Sequence, residues 1–273
     1  MSTIDTIDDL INWKPPYIES IIEEGILKAG TGMIIFGEAK AWKSMLSLHT
    51  AFCIANGSDW FGYKTKQAVV FKYQSELPKY IDRERVIKYM NSHRPDNILF
   101  KTNPYISIDS SYGKKSIEDD IKVIHTRFPN QHIVLILDPV YLMIAGHVSD
   151  EYDVKRFLQN INEIKSTHNL SVIMIHHSHK TKIDSSGNLI DLGAEEIMGS
   201  SYFNNWADTM VRVKLLNPTV GSDLVEVSFG LARHAQKLLP PFQISWSRDT
   251  LHPTITKKSN IDNIEDITTK GLD

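Results

Sequence analysis

Short, unbroken apolar runs punctuate the chain, and between several of them apolar residues return at helical intervals. The runs are GMIIFGE (32–38), AVVFKYQSE (68–76), ILFK (98–101), HIVLILDP (132–139) and LSVIMIHH (170–177). Runs of this length without alternation predict strands buried on both faces. After the first of them, Met45, Leu48, Ala51, Phe52 and Ala55 recur at helical spacing, and Asn56-Gly57 closes that helix. Pro78 suits the first turn of a helix running to about Ser92. A charged helix is expected over about 114–128 and an amphipathic one over 150–168. The later runs DTMVRVKLL, LVEVSFGLAR and PFQISW read as strands, two of them alternating like a hairpin with its turn at NPTVGSD. At the start, TIDDLINW forms a short helix capped by Thr6 or Asp5 and stopped by Pro15 and Pro16.

Strands alternating with helices through the first two-thirds imply an α/β fold, a mostly parallel sheet with helices on both faces. The last strands are expected to be antiparallel. The chain then divides into an N-terminal arm (1–20), one α/β domain (21–256) and a polar C-terminal tail (257–273) that is either flexible or a partner-binding segment. The 273 residues suit one large domain with short extensions. A net charge of −3 excludes a generic nucleic-acid coat but leaves room for a local basic surface. The single cysteine, Cys53, sits in the apolar helical pattern and builds no disulfide framework, which fits a reducing compartment. The acidic N-terminus does not read as a signal peptide, and no stretch approaches the roughly 18 apolar residues of a membrane span. A cytoplasmic protein without membrane contact is expected.

In parallel sheets ligands lie beyond the carboxyl ends of the strands, so the residues that follow each run carry the chemistry. The first run leads into GEAKAWKS (37–44), which fits the phosphate-loop pattern G-x-x-x-x-G-K-[ST] except at Trp42, where glycine is expected. The flanking strand and helix are the context such a loop requires, because its backbone N–H groups and the helix N-terminus face the phosphates. Lys43 would reach the β and γ phosphates and Ser44 would bind Mg²⁺. Trp42 fits such a loop only with a negative φ and a ring turned away from the nucleotide, packed on a neighbouring surface. Glu76 after the second run is either a water-polarising carboxylate or a solvated acid. Asp138 ends a run of Ile, Val and Leu, where a charge is costly unless paired or coordinated, and it suits the Mg²⁺ shell. In HHSHK, His176 or His177 could donate to a γ-phosphate or could be plain structural histidines; no further spaced ligand set supports a histidine metal site.

In order and content these elements resemble the RecA-fold P-loop ATPases, and most of all the RepA-like hexameric replicative helicases of plasmids, phages and mobile elements. The resemblance covers about residues 20–256 and rests on GEAKAWKSMLS, VVFKYQSE with the following DRERV, IVLILDPVY, VIMIHHSHK and GSSYFNNWADTMVRV. It implies ATP bound by Gly37, Glu38, Ala39, Lys40, Ala41, Trp42, Lys43, Ser44 and Met45, with His176 and His177 near the phosphates, Mg²⁺ held by Ser44 and Asp138, and Glu76 as the base that activates water. It also implies a hexameric ring with shared sites, in which Arg233, with Lys237 assisting, reaches the γ-phosphate of a neighbour. Loops at about 142–152 and 178–198, the second with Lys180 and Lys182, would face single-stranded DNA. A DNA motor in replication is the function so implied, with other replication proteins as partners. The alternatives are a loader or regulator of the same fold that does not unwind, and an inactive P-loop scaffold, against which the retained Lys43, Ser44, Glu76 and Asp138 argue.

Overall fold

The structure, a computed structural model, describes residues 4–90, 94–103, 105–178, 182–183, 189–190, 201–218 and 222–258. The chain begins with α1 (Ile7–Asn12), whose N-terminus is closed by a capping box between Thr6 and Asp9 and whose residues are all exposed. A small antiparallel pair, β1 (Ser20–Ile22) and β2 (Leu27–Lys28), follows. The central elements are β3 (Gly32–Gly37), α2 (Lys43–Asn56), β4 (Val69–Gln74), α3 (Lys79–Tyr89), β5 (Ile98–Thr102), α4 (Ser111–Arg127), β6 (Ile133–Asp138), α5 (Glu151–His168) and β7 (Ser171–His177). After them come the two-residue strands β8 (Lys182–Ile183) and β9 (Leu189–Ile190), α6 (Tyr202–Trp206), β10 (Thr209–Pro218), β11 (Ser222–Ala232), β12 (Phe242–Ser247) and β13 (Pro253–Lys258).

Among the described residues, nine strands form one sheet in the order β13-β12-β11-β10-β3-β7-β6-β4-β5. From β10 to β5 every neighbour is parallel, and β10 to β13 are antiparallel to one another. The expected architecture, a mostly parallel sheet with antiparallel strands near the C-terminus, is the one found. β13 was not read from sequence: its PTITKK pattern is largely exposed, as suits an edge strand.

The runs that become β3, β4 and β6 are buried along their whole length, and β7 is buried up to His177, because helices cover both faces; ILFK departs from the expectation, since β5 ends the sheet and is only partly buried. Alternation within each run then sends successive side chains to opposite layers. Met33, Ile35, Val70, Ile136, Ile173 and Ile175 join Leu46, Leu48, Ala51 and Phe52 of α2. Ile34, Phe36, Phe71, Leu135, Val172 and Met174 join Ile117 and Ile121 of α4 and Phe157 and Ile161 of α5. At about 1.5–3 kcal/mol for each large aliphatic side chain buried, these two layers are the dominant favourable term for the fold.

Candidate functional site

β7 separates β3 from β6, and the carboxyl ends of β3, β7, β6 and β4 lie side by side. Gly37 faces His177, and Gln74 faces Asp138. The chain leaves β3 through GEAKAWKS and enters α2 at Lys43. A side chain at Gly37 is impossible without rearrangement: its Cβ would sit 2.1 Å from the Val213 carbonyl oxygen.

The expected backbone of Trp42 is overturned. Its φ is +66°, in the left-handed region, and Lys40 takes +63° as well. The loop keeps the turn that glycine would give it and imposes that turn on a tryptophan, at a cost of roughly 1–2 kcal/mol. Tertiary contacts offset the strain. The Trp42 indole stacks on Trp246 of β12, with centroids 5.3 Å apart and planes 4° from parallel. Its Nε1–H donates to Asp223 Oδ2 at 2.8 Å, while Arg248 Nη2 donates to Asp223 Oδ1 at 2.6 Å. Those two bonds, Arg248 first, hold the Asp223 carboxyl below its ordinary range. The ring packs against the C-terminal strands, on a neighbouring surface as expected.

A cavity of about 540 Å³ opens at these strand ends, lined by Ala39 to Met45, Glu76, Leu77, Arg85, Asp138, Pro139, Ile175, His177 and Leu251. Lys43 is buried, and its Nζ donates to the Glu38 carbonyl oxygen at 2.6 Å. Burial pushes the Lys43 ammonium down to about 8, against the opposing pull of Asp138, Glu76 and Glu38. Ser44 Oγ donates to Asp138 Oδ1 at 3.0 Å, and Ser47 Oγ donates to Oδ2 at 3.3 Å. Glu76 is exposed at the rim. Its carboxylate acts electrostatically on Lys43 and on Tyr141, whose ring meets His177 edge-on at 5.1 Å.

The two histidines part company. His177 lines the cavity, and burial, then the Lys43 charge, holds its imidazole below the ordinary value, so it is neutral near pH 7. His176 lies on the other face of β7, fully buried and edge-on to Phe203 at 4.5 Å, away from the cavity. Arg233 is also apart. It follows β11, whose Ala232 faces Thr209, which in turn faces Met33, so it lies at the amino end of β3. That is roughly 13 Å along the strand from Gly37. Its Nη2 donates to the Asn205 carbonyl oxygen at 3.0 Å. Lys237 pairs with Glu24 at 3.1 Å. Lys180, most of the 178–198 loop and the tail beyond Lys258 lie outside the described residues.

Two residues of the site were given no role from the sequence, although one of them lies in DRERV. Arg85 of α3 lines the cavity. Lys72 of β4 is buried against Asp138, and a lone lysine inside VVFKYQ is itself a signal that a buried partner exists.

The site's donors suit a hard cation. Ser44 and Asp138 bring oxygens together, the ligand type Mg²⁺ takes. Among the described residues no group of three or more His, Cys, Asp or Glu could hold a metal by itself, so any Mg²⁺ here would need ligands from elsewhere, such as water or phosphate oxygens. No described helix is long and apolar enough to cross a membrane.

A family model described as an AAA domain matches residues 2–182. No curated protein matches the chain. Among solved structures, one described as an ATPase domain is similar over 83% of this chain and 85% of that one, at 12% identity and a TM-score of 0.63. A DnaB-like replicative helicase, described with its interactions with primase, matches over 84% of this chain at 12% identity and a TM-score of 0.59. The match spans 58% of that helicase. A KaiC-like protein from Pyrococcus horikoshii OT3 matches over 87% of this chain and 94% of its own, at 12% identity and a TM-score of 0.56. At these identities the likeness is one of fold.

Proposed function

The chain belongs to the AAA domain family, and from that premise we propose that it is an ATP-hydrolysing, ring-forming motor acting on single-stranded DNA, of the replicative-helicase kind. Within the family we place it with the RepA-like helicases of plasmids, phages and mobile elements, on the five sequence stretches that carry the resemblance. One observation carries the proposal: Lys43, Ser44, Asp138, Glu76 and His177, drawn from the ends of four adjacent strands, surround one cavity.

The chemistry follows from those residues. The loop N–H groups and the Lys43 ammonium receive the phosphates. Mg²⁺, held by Ser44 and Asp138, would supply neutralisation of phosphate charge when bound. Glu76 orients a water and accepts its proton as the water oxygen attacks the γ-phosphorus and the bond to ADP breaks. His177, neutral near pH 7, offers a ring N–H to the γ-phosphate. Oligomerisation into a ring, contact with DNA, an arginine supplied by the neighbour and contacts with other replication proteins complete the proposal.

ATP hydrolysis measured with and without single-stranded DNA, in wild type and Lys43→Ala, tests it. DNA should stimulate hydrolysis, and Lys43→Ala should abolish it. The overall charge of −3 favours one other use of the site, a loader or regulator that hydrolyses ATP without unwinding. Hydrolysis indifferent to DNA would decide for that use and against the motor.

A further inference from the structure

All six residues of β4, VVFKYQ, are buried, and Lys72 among them is 2% exposed. An ammonium so placed is costly unless a charge meets it. The strand register explains how one does. Lys72 faces Ile136 on β6, two residues before Gln74 faces Asp138. Like Val70, it points to the α2 side, and its stem reaches the strand end. There the ammonium forms an ion pair with the Asp138 carboxylate and donates to Ser47 Oγ at 3.3 Å. Asp138 is 1% exposed and accepts from Ser44, Ser47 and Lys72 together.

The carboxylate assigned to the metal under the proposed function therefore already has a cation of its own. A carboxylate and an ammonium in contact present no net charge to an arriving divalent ion. We propose that Lys72 competes with Mg²⁺ for Asp138, so that the metal is excluded from the bare protein and enters only with nucleotide phosphates. This rests on the nucleotide-site proposal. The phosphates supply the negative charge and oxygen ligands that the paired site lacks, and they let the metal draw Asp138 away from the lysine. Without them the pair keeps the buried site neutral and its carboxylate hydrogen-bonded.

The test compares full-length wild type with Lys72→Met and Lys72→Gln, using Mg²⁺ or Mn²⁺ alone as the probe. In EDTA, Lys72→Met should melt below wild type, since Asp138 has lost its counter-charge. Mg²⁺ without nucleotide should then raise the melting temperature of Lys72→Met by several degrees and leave wild type unmoved. Mn²⁺ followed by electron paramagnetic resonance should bind Lys72→Met about tenfold or more tightly than wild type. A Lys72→Met Asp138→Asn double variant should lose both responses. If Lys72→Met does not fold, Lys72→Gln, which keeps a donor and much of the volume, decides by the same comparison. Equal Mg²⁺ and Mn²⁺ responses in wild type and variant would overturn the proposal and leave Lys72 a structural ion pair. Binding of a fluorescent ADP analogue with Mg²⁺ present separates the two proposals. Its absence from every protein counts against the nucleotide site, whereas binding with unchanged metal response counts against Lys72 alone.

Discussion

Trp42 shows how a single residue can keep a backbone conformation that its side chain disfavours. At φ +66° its Cβ crowds the preceding backbone, a strain glycine does not feel. Against this stand a parallel stack on Trp246, of a kind that contributes about 0.5–1.5 kcal/mol beyond area burial, and the indole hydrogen bond to Asp223. Truncation separates the two effects. Trp42→Ala loses the contacts and keeps the strain, and should destabilise by about 2–3 kcal/mol. Trp42→Gly loses the same contacts and sheds the strain, and should be about 1 kcal/mol more stable than the alanine variant. Urea unfolding reads the difference; equal stabilities would sink the strain account. GEAKAWKS alone shows that the ring must leave the loop, but not the sign of φ or the partner. The sequence exposes the anomaly at position 42, but the stacking partner lies in a strand far along the chain.

At the scale of the element, the period of two along β7 assigns the histidines. Ile173 and Ile175 face α2, so His177 continues that side to the cavity, while Val172 and Met174 lead to His176 over Phe203. The pattern is present in SVIMIHH and would have separated the pair, had the face of the P-loop helix been known. Exchange of each for alanine should have opposite consequences. His177→Ala should lower hydrolysis by about 10²-fold with nucleotide affinity within a few-fold, since a proton donor is lost and the loop is not. His176→Ala should retain hydrolysis per folded molecule and lose about 1–3 kcal/mol of stability, the cost of a hole beneath Phe203. Steady-state kinetics beside thermal unfolding distinguishes them; loss of hydrolysis in His176→Ala without loss of stability would contradict the assignment. The strands themselves were readable because burial on both faces leaves an unbroken apolar run. β13 was not, because an exposed edge strand carries no such signature.

For the whole molecule, the question is which arginine completes the site, and from which chain. Arg233, which the resemblance assigns to a neighbour's γ-phosphate, lies at the amino end of β3, away from its own cavity, so any role in hydrolysis would have to be on a neighbour. Arg85 lines the cavity of its own chain. An arginine that meets the γ-phosphate contributes about 10³–10⁵ in rate, so either loss is measurable. Mixing inactive proteins tells the sources apart. When Arg233→Ala and Lys43→Ala are combined in equal amounts, about one quarter of the interfaces pair an intact P-loop with an intact neighbouring arginine. Hydrolysis should recover to about a quarter of the wild-type rate if the sites act independently. Arg85→Ala mixed with Lys43→Ala reassembles no complete site, because an intact Arg85 then always accompanies a broken P-loop. Recovery in the first mixture and none in the second places the arginine on the neighbour and makes the ring part of the active site. No recovery in the first, with Arg85→Ala inactive alone, would transfer the role to Arg85 and leave each subunit with a complete site of its own.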